Sequence, residues 1–322
     1  MFMQLYPLQF TPILKERIWG GTKLKTYLGK PITSDITGES WELSGVSGDV
    51  SVVSNGTYSG VSLNDLIAQF PKELLGKKIH KQFGYEFPLL FKYLDAREDL
   101  SIQVHPNDVL AQERHNSFGK TEMWYVMQAD AGAELIVGFK EDSNQKEYLE
   151  HLHNNTLTNL LDYKAVQKGD VFFLETGTVH AIGAGMVIAE IQQTSDITYR
   201  LYDFDRTDAQ GNKRELHVDL ALEAINYQKI EAEKKYNRTE NFANEIVDCS
   251  YFTTNMIPLN GSIEINHELD SFVVYMCAEG SFDFIFNKQT YTYQTGDTIL
   301  IPAALNHYQM SGQATLLEIF IR

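Results

Sequence analysis

The chain has 322 residues, 43% of them hydrophobic and 22% charged, which is enough for one large domain or two ordinary ones with a substantial core. Its formal net charge is −16, from 43 acidic and 27 basic residues. Because that charge repels nucleic-acid phosphates and anionic lipid surfaces, neither nucleic acid nor a membrane is expected as a partner. No apolar run approaches the length of about 18 residues that spans a bilayer.

The N-terminus and the cysteines predict a cytoplasmic protein. The first ten residues lack the basic start and the long apolar run of a secretory signal. Cys249 and Cys277 have no CxxC spacing, so no thiolate metal cluster is expected. A disulfide between them would be unusual in a reducing compartment.

Taken in chain order, the sequence predicts mostly short strands with a few helices between them. Residues 62–70 begin with a capping serine and end before a proline, which predicts a helix. Apolar runs bounded by Gly, Pro or polar residues predict strands at 134–139, 171–174, 186–189 and 298–301. Helices are predicted within 143–162 and over 219–236, and the polar composition of 229–246 indicates a linker.

An internal repeat gives the domain organisation. The segment from Gly169-Asp170 to His180 aligns with the segment from Gly296-Asp297 to His307, at an offset of 127 residues for both features. Each copy predicts a Gly-Asp turn, a buried strand and a histidine placed after a second turn. We therefore expect two related barrels in tandem, a catalytic domain over 1–236 and a C-terminal domain over 237–322. The second is expected to bind no metal, because His307 lacks partner ligands.

Three separate segments carry candidate metal ligands. Gln103 and His105 are two residues apart, so on a strand they face the same side, and Lys120 and Glu122 share a face in the same way. His180 follows the turn of the first repeat copy. Two imidazoles, a carboxylate and an amide oxygen suit a borderline divalent ion such as Zn²⁺ and leave positions open for substrate or water.

These segments resemble the two cupin motifs. The pattern Gly169-x₅-Glu175-x-Gly177-x₂-His180 is similar to the second motif, and Gln103-x-His105 with the later Glu122 is similar to the first, with Gln replacing its first His. That replacement marks type I phosphomannose isomerases, and the chain resembles their short bacterial form. Further matches lie at 19–21, 87–92 and 192–203.

The resemblance implies a mainly β fold of two cupin (jelly-roll) β-barrels in tandem with a few inserted helices. It implies one Zn²⁺ per chain, on Gln103, His105, Glu122 and His180. It also implies a small-molecule sugar phosphate as substrate, and we expect a monomer or a weak homodimer. The site residues expected besides the metal ligands are Arg200, Glu190 and Lys120 as catalytic groups and Ser101, Lys92 and Trp19 as substrate contacts.

The expected reaction interconverts mannose 6-phosphate and fructose 6-phosphate through a cis-enediol. An arginine is a poor base at neutral pH, so the proton acceptor is expected to be Glu190 or a metal-bound water, with Arg200 stabilising negative charge. Two other classes stay open: a metal-dependent cupin oxygenase, and a non-catalytic sugar-binding or regulatory cupin. Zn²⁺, Co²⁺ and Mn²⁺ can share this ligand set.

Overall fold

The computed structural model describes residues 5–207 and 210–322. Strands dominate, as predicted, and the helices are short. The helices are α1 Lys23–Thr26, α2 Leu63–Gln69, α3 Pro71–Leu75, α4 Lys77–Phe83, α5 Asp108–His115, α6 Gln145–His153 and α7 Val218–Leu222. The strands are β1 Ile13–Gly21, β2 Thr37–Leu43, β3 Leu89–Ala96, β4 Ile102–Val104, β5 Glu122–Ala129, β6 Glu134–Phe139, β7 Leu161–Ala165, β8 Val171–Leu174, β9 His180–Ile182, β10 Met186–Gln193, β11 Tyr199–Tyr202, β12 Asn244–Asp248, β13 Thr253–Asn266, β14 Val273–Phe286, β15 Gln289–Gln294, β16 Thr298–Ile301 and β17 His307–Phe320.

Two sheets form the N-terminal part of the fold. The first has the strand order β1-β2-β3-β10-β5-β8, and the second has the order β11-β4-β9-β6-β7. Apolar side chains from both sheets pack into one buried cluster, to which Trp124 and Ile188 contribute from the first sheet and Leu135 and Ile182 from the second. Hydrophobic burial between the two faces therefore holds the sheets together, with polar side chains placed at one end.

A third sheet contains only strands that follow residue 243, in the order β12-β13-β17-β14-β15, with β16 paired to β14. One large buried cluster joins it to the first sheet, since Phe91 and Tyr93 on β3 share that cluster with Phe272 and Leu300. The mainly β fold is confirmed. None of the three sheets closes on itself over residues 5–207 and 210–322, so the expected pair of closed barrels is not confirmed, and the boundary at 236/237 stays a prediction.

The predicted helix at 62–70 is confirmed, and the one over 219–236 is largely wrong. The Ser62 hydroxyl accepts a hydrogen bond from the Asp65 backbone N–H at 3.1 Å and so caps α2. By contrast, α7 ends at Leu222. The chain that follows runs beside β8, where Phe173 N–H donates to the Ala232 carbonyl and Lys234 N–H donates to the Val171 carbonyl, both at 2.8 Å. Unpaired backbone groups on the edge of β8 therefore outweighed the local helical pattern.

The two copies of the internal repeat form the same turn in the structure. Gly169 and Gly296 adopt φ values of 91° and 90°, a region that glycine enters without steric cost. Both turns are closed by the same bond, in which the aspartate side chain of Asp170 or Asp297 accepts from a backbone N–H three residues earlier at 2.8 Å. The buried strands β8 and β16 follow these turns.

The strand register also shows where the two repeat copies differ. Glu122 pairs with Leu174 at the end of β8, whereas the equivalent Ile301 at the end of β16 pairs with Val273. A valine therefore occupies the place of the carboxylate. His307 is exposed, while His180 is only 1% exposed. These differences agree with the expectation that the C-terminal part binds no metal, which stays a prediction.

Candidate functional site

Three buried side chains converge at one end of the first two sheets. His105 directly follows β4, Glu122 begins β5 and His180 begins β9. Their ligand atoms all lie within 4.8 Å of one another. The Nε2 atoms of His105 and His180 lie 3.7 Å and 3.4 Å from the two carboxylate oxygens of Glu122. The long-range convergence expected from three distant segments is therefore present.

Backbone carbonyls orient both imidazoles toward this centre. The Nδ1 atom of His105 lies 2.8 Å from the Ile197 carbonyl oxygen, and that of His180 lies 2.8 Å from the Thr178 carbonyl oxygen. A carbonyl only accepts, so each Nδ1 carries the hydrogen and each Nε2 keeps its lone pair. Burial lowers the pKa of His180 to about 4, and burial together with the charge of Lys120 holds the pKa of His105 well below its usual range. Both rings are therefore neutral, the state that ligates a metal.

Glu122 is a buried carboxylate whose oxygens lack ordinary partners. Its exposed fraction is 0%, and within the described part of the chain neither oxygen accepts a hydrogen bond of regular geometry. The Lys120 ammonium lies 2.8 Å from Oε2. Burial raises the pKa of Glu122 to about 7, and Lys120 opposes that rise only in part. Two neutral imidazoles facing two orphaned carboxylate oxygens fit a divalent metal ion.

Gln103 lies beside this group as the predicted fourth ligand. Its amide nitrogen is 3.2 Å from Nε2 of His180. The two ends of a glutamine amide are assigned from hydrogen bonding alone, and a 180° rotation places the oxygen at the same position. The side chain can therefore present an oxygen to an ion at this centre, and its role as a ligand stays a prediction.

A second buried charge cluster adjoins the candidate metal centre. Lys92 Nζ donates to Glu190 Oε1 at 2.9 Å and to Gln192 Oε1 at 2.7 Å. The Trp124 indole donates to the other oxygen of Glu190 at 3.0 Å, and Lys120 Nζ lies 3.9 Å from Oε1. Burial alone would raise the pKa of Glu190, but Lys120 and Lys92 outweigh it and lower that pKa to about 2. Glu190 is therefore an ionised carboxylate held between two ammonium groups.

An open cavity of about 530 Å³ lies above the buried ligands. Its lining includes every predicted site residue except the buried candidate ligands His105, Glu122 and His180. The predicted residues that line it are Trp19, Lys92, Ser101, Gln103, Lys120, Glu190 and Arg200. A small sugar phosphate fits a polar cavity of this size.

Arg200 reaches the cavity from β11, where it pairs with Gln103 on β4. Its Nη1 donates to the Glu215 carbonyl at 2.7 Å, and its Nε is buried without a hydrogen-bond partner among residues 5–207 and 210–322. No carboxylate in those ranges forms an ion pair with it. A guanidinium left unpaired beside the candidate metal centre is free to take a negatively charged group.

Sequence reasoning missed one wall of the cavity and one arginine. Lys15 and Arg17 on β1 pair with Asp49 and Glu39, and all four line the cavity. Arg214, from the segment between β11 and α7, lines it as well. The alternation of Lys15 and Arg17 on one face of a strand was the available signal, but a solvated strand face shows the same pattern.

The fold and the site together define a cupin-type protein with a candidate metal centre beneath a charged cavity. Residues 7–162 match the family model for the catalytic domain of type I phosphomannose isomerase, and residues 242–321 match that for the cupin domain of mannose-6-phosphate isomerase. The chain belongs to the type I phosphomannose isomerase family. No helix in the described ranges combines the length and the apolar character needed to cross a membrane.

Individual relatives are similar over nearly the whole chain. The mannose-6-phosphate isomerase ManA of Bacillus subtilis is 37% identical over 316 residues, which cover 97% of this chain and 98% of that protein. The mannose-6-phosphate isomerase of Streptococcus mutans serotype c is 36% identical over 313 residues, covering 97% of each chain. A crystal structure of the mannose 6-phosphate isomerase from Bacillus subtilis superimposes with a TM-score of 0.90 at 33% identity, covering 98% of this chain and 99% of that one.

Proposed function

We propose that this protein interconverts mannose 6-phosphate and fructose 6-phosphate at a divalent metal centre. The observation that supports this most is the convergence of His105, Glu122 and His180, buried beneath a cavity whose lining includes Lys120, Glu190 and Arg200. A divalent ion on these ligands supplies polarisation of the substrate's carbonyl and hydroxyl oxygens. We propose zinc as that ion, one per chain, because two imidazoles with a carboxylate suit it.

Residues that line the cavity can supply the proton transfer and the charge stabilisation that an aldose–ketose isomerisation needs. A proton leaves C2 of the aldose and is returned to C1, and a second proton passes from the C2 hydroxyl to the C1 oxygen. The cis-enediol between aldose and ketose forms by way of an enediolate, which carries negative charge on oxygen. Glu190 is ionised and lines the cavity, so it can accept and return the carbon-bound proton. Arg200 and Lys120 are cations that line the same cavity and stabilise the charge that develops on oxygen.

The remaining expectations for the substrate contacts are part of the same proposal. Trp19 is 4% exposed and lines the cavity, so its indole can pack against the sugar. Lys92 is engaged by Glu190 and Gln192, and we assign it mainly to holding that carboxylate in place. We also propose that the protein is cytoplasmic, which its two free thiols support, and that it is a monomer or a weak homodimer.

The test is to mix purified protein with mannose 6-phosphate and follow fructose 6-phosphate, before and after removal of metal by a chelator. We expect turnover that stops on chelation and returns with added Zn²⁺, with about one metal ion bound per chain by elemental analysis. Absence of fructose 6-phosphate from metal-loaded protein refutes the function. Oxygen uptake under the same conditions would point to a cupin oxygenase instead.

A further inference from the structure

The charges that line the cavity are unevenly neutralised. Six cationic side chains line it, and four of these each pair with a separate carboxylate. The four pairs are Lys15 with Asp49, Arg17 with Glu39, Lys92 with Glu190 and Lys120 with Glu122. Of the other two, Arg214 shares the single carboxylate of Asp203 with Arg206, and Arg200 forms no ion pair among the described residues, so the positive charge that is not neutralised lies at these guanidinium groups.

Arg214 is held rigidly and still keeps donors to spare. Its Nε donates to Asp203 Oδ2 at 2.7 Å, and its Nη2 donates to Oδ1 of the same carboxylate. Asp203 is 6% exposed and also accepts from Arg206 Nη2 at 2.6 Å. One carboxylate therefore accepts hydrogen bonds from two guanidinium groups, and the three groups together keep a net positive charge. In the described ranges, Nη1 of Arg214 has no hydrogen-bond partner, so it can bind an anion in the cavity.

The positive charge of Arg214 acts on Arg200. Burial lowers the pKa of Arg200, and the neighbouring charge of Arg214 lowers it further. Asp196 also lines the cavity, but it is exposed and forms no ion pair within residues 5–207 and 210–322. Two guanidinium groups that repel each other across a cavity are stabilised by an anion that binds both.

A buried hydroxyl lies on the same side of the cavity. Ser101 is 4% exposed and lines the cavity, and among the described residues its side chain makes no hydrogen bond. Tyr202 pairs with Ile102 at the end of the β4–β11 ladder, and Ser101 and Asp203, which anchors Arg214, are the residues that directly adjoin this last pair in the two segments. Gln103 pairs with His180 two residues further along the same strand, or about 7 Å away. The Ser101–Arg214 end is therefore displaced from the metal ligands.

We propose that Arg214 binds the phosphate group of the substrate, beside Ser101, which the family resemblance already implies as a substrate contact, while Asp203 positions the guanidinium. This inference rests on the proposed function, because it places C6 of the sugar phosphate at this end and C1 and C2 at the metal centre. Lys92 and Lys120 are engaged by carboxylates deeper in the cavity, so they are less available for a dianion. An acidic protein thereby binds an anionic substrate through one local cluster of cations.

The experiment compares Arg214→Gln and Arg214→Lys with Arg206→Gln in steady-state turnover of mannose 6-phosphate. Arg206 shares the Asp203 carboxylate but does not line the cavity, which makes it a matched control. Because the phosphate lies away from the reacting carbons, R214Q should raise KM about 10- to 150-fold, as expected for a lost charged hydrogen bond, with kcat changed less than about threefold. R214K should have a KM between those of the wild type and R214Q, and R206Q should stay within about threefold of the wild type in both KM and kcat.

A second measurement uses inorganic phosphate as a competitive inhibitor. R214Q should weaken its inhibition constant by the same factor as KM, which a general loss of structure would not do. Unchanged KM and unchanged phosphate inhibition in R214Q overturn the assignment, and so does a fall in kcat at constant KM. If wild-type protein fails to isomerise the substrate, the proposed function fails separately. Calorimetric titration with mannose 6-phosphate then decides the binding role, and equal affinity of wild type and R214Q refutes it.

Discussion

A buried ion pair joins the N-terminal part of the fold to the C-terminal sheet, and its removal gives a sharp test of the energetics. Lys30 Nζ donates to Glu42 Oε2 at 2.6 Å and to the Gly296 carbonyl at 2.7 Å. The two side chains are 9% and 5% exposed. The Ser40 hydroxyl donates to the other oxygen of Glu42 at 2.6 Å. Gly296 belongs to the turn of the second repeat copy, so the ammonium connects the two halves.

Replacing Lys30 with Met leaves Glu42 buried with only the Ser40 hydroxyl as a donor. Breaking a buried pair in this way costs about 3–5 kcal/mol, whereas replacing both partners with apolar residues is close to neutral. We therefore expect K30M to lower the free energy of unfolding by that amount. The double variant K30M/E42L should recover most of it, less about 1 kcal/mol for the bonds lost by Ser40 and Gly296.

The loss should depend on pH with a defined sign. Burial raises the pKa of Glu42 even with Lys30 present, and removing Lys30 raises it further. An acid whose folded pKa lies above its unfolded value, about 4.3, destabilises the fold as pH rises through the folded pKa. The deficit of K30M should therefore be largest near pH 7–8 and shrink toward pH 5.

Urea unfolding followed by circular dichroism measures these differences. Lys25→Met, at an exposed lysine of α1, is the matched control and should change stability by less than about 0.5 kcal/mol. A cost below about 1 kcal/mol for K30M, or a double variant no better than the single one, would show that the pair is not buried as the structure has it.

Three further results are expected. Glu122→Gln should reduce bound metal from about one per chain to a small fraction and abolish turnover. The control His307→Ala, at an exposed histidine, should keep both the metal and the activity. Elemental analysis and the isomerase assay measure these results, and full metal loading of E122Q contradicts the ligand role. Glu190→Gln should lower kcat about 10²- to 10⁴-fold with a small change in KM, and near-normal turnover removes Glu190 as the base. Ser62→Ala should cost about 1 kcal/mol in urea unfolding through loss of the α2 cap and leave activity unchanged, whereas a drop in kcat would tie that helix to the site.

Local chemistry determined much of the candidate site from the sequence. Side chains two residues apart on a strand share a face, so Gln103 and His105 were predictable as a pair, as were Lys120 and Glu122. The Gly-Asp turn needs a glycine at positive φ, so the repeat that ends in His180 was also readable from residue types. The same locality predicted α2 from its capping serine.

The tertiary structure alone decided which charges are available and where they lie. Glu190 pairs with Lys92 on β3 and lies beside Lys120, and those contacts depend on strand register between segments far apart in the chain. Arg214 lines the cavity with its guanidinium held by Asp203, a contact that residue types alone do not reveal. Neutralisation and burial are properties of neighbours in space, which residue types and spacing do not encode, so the sequence determined the ligand chemistry and the fold decided its electrostatics.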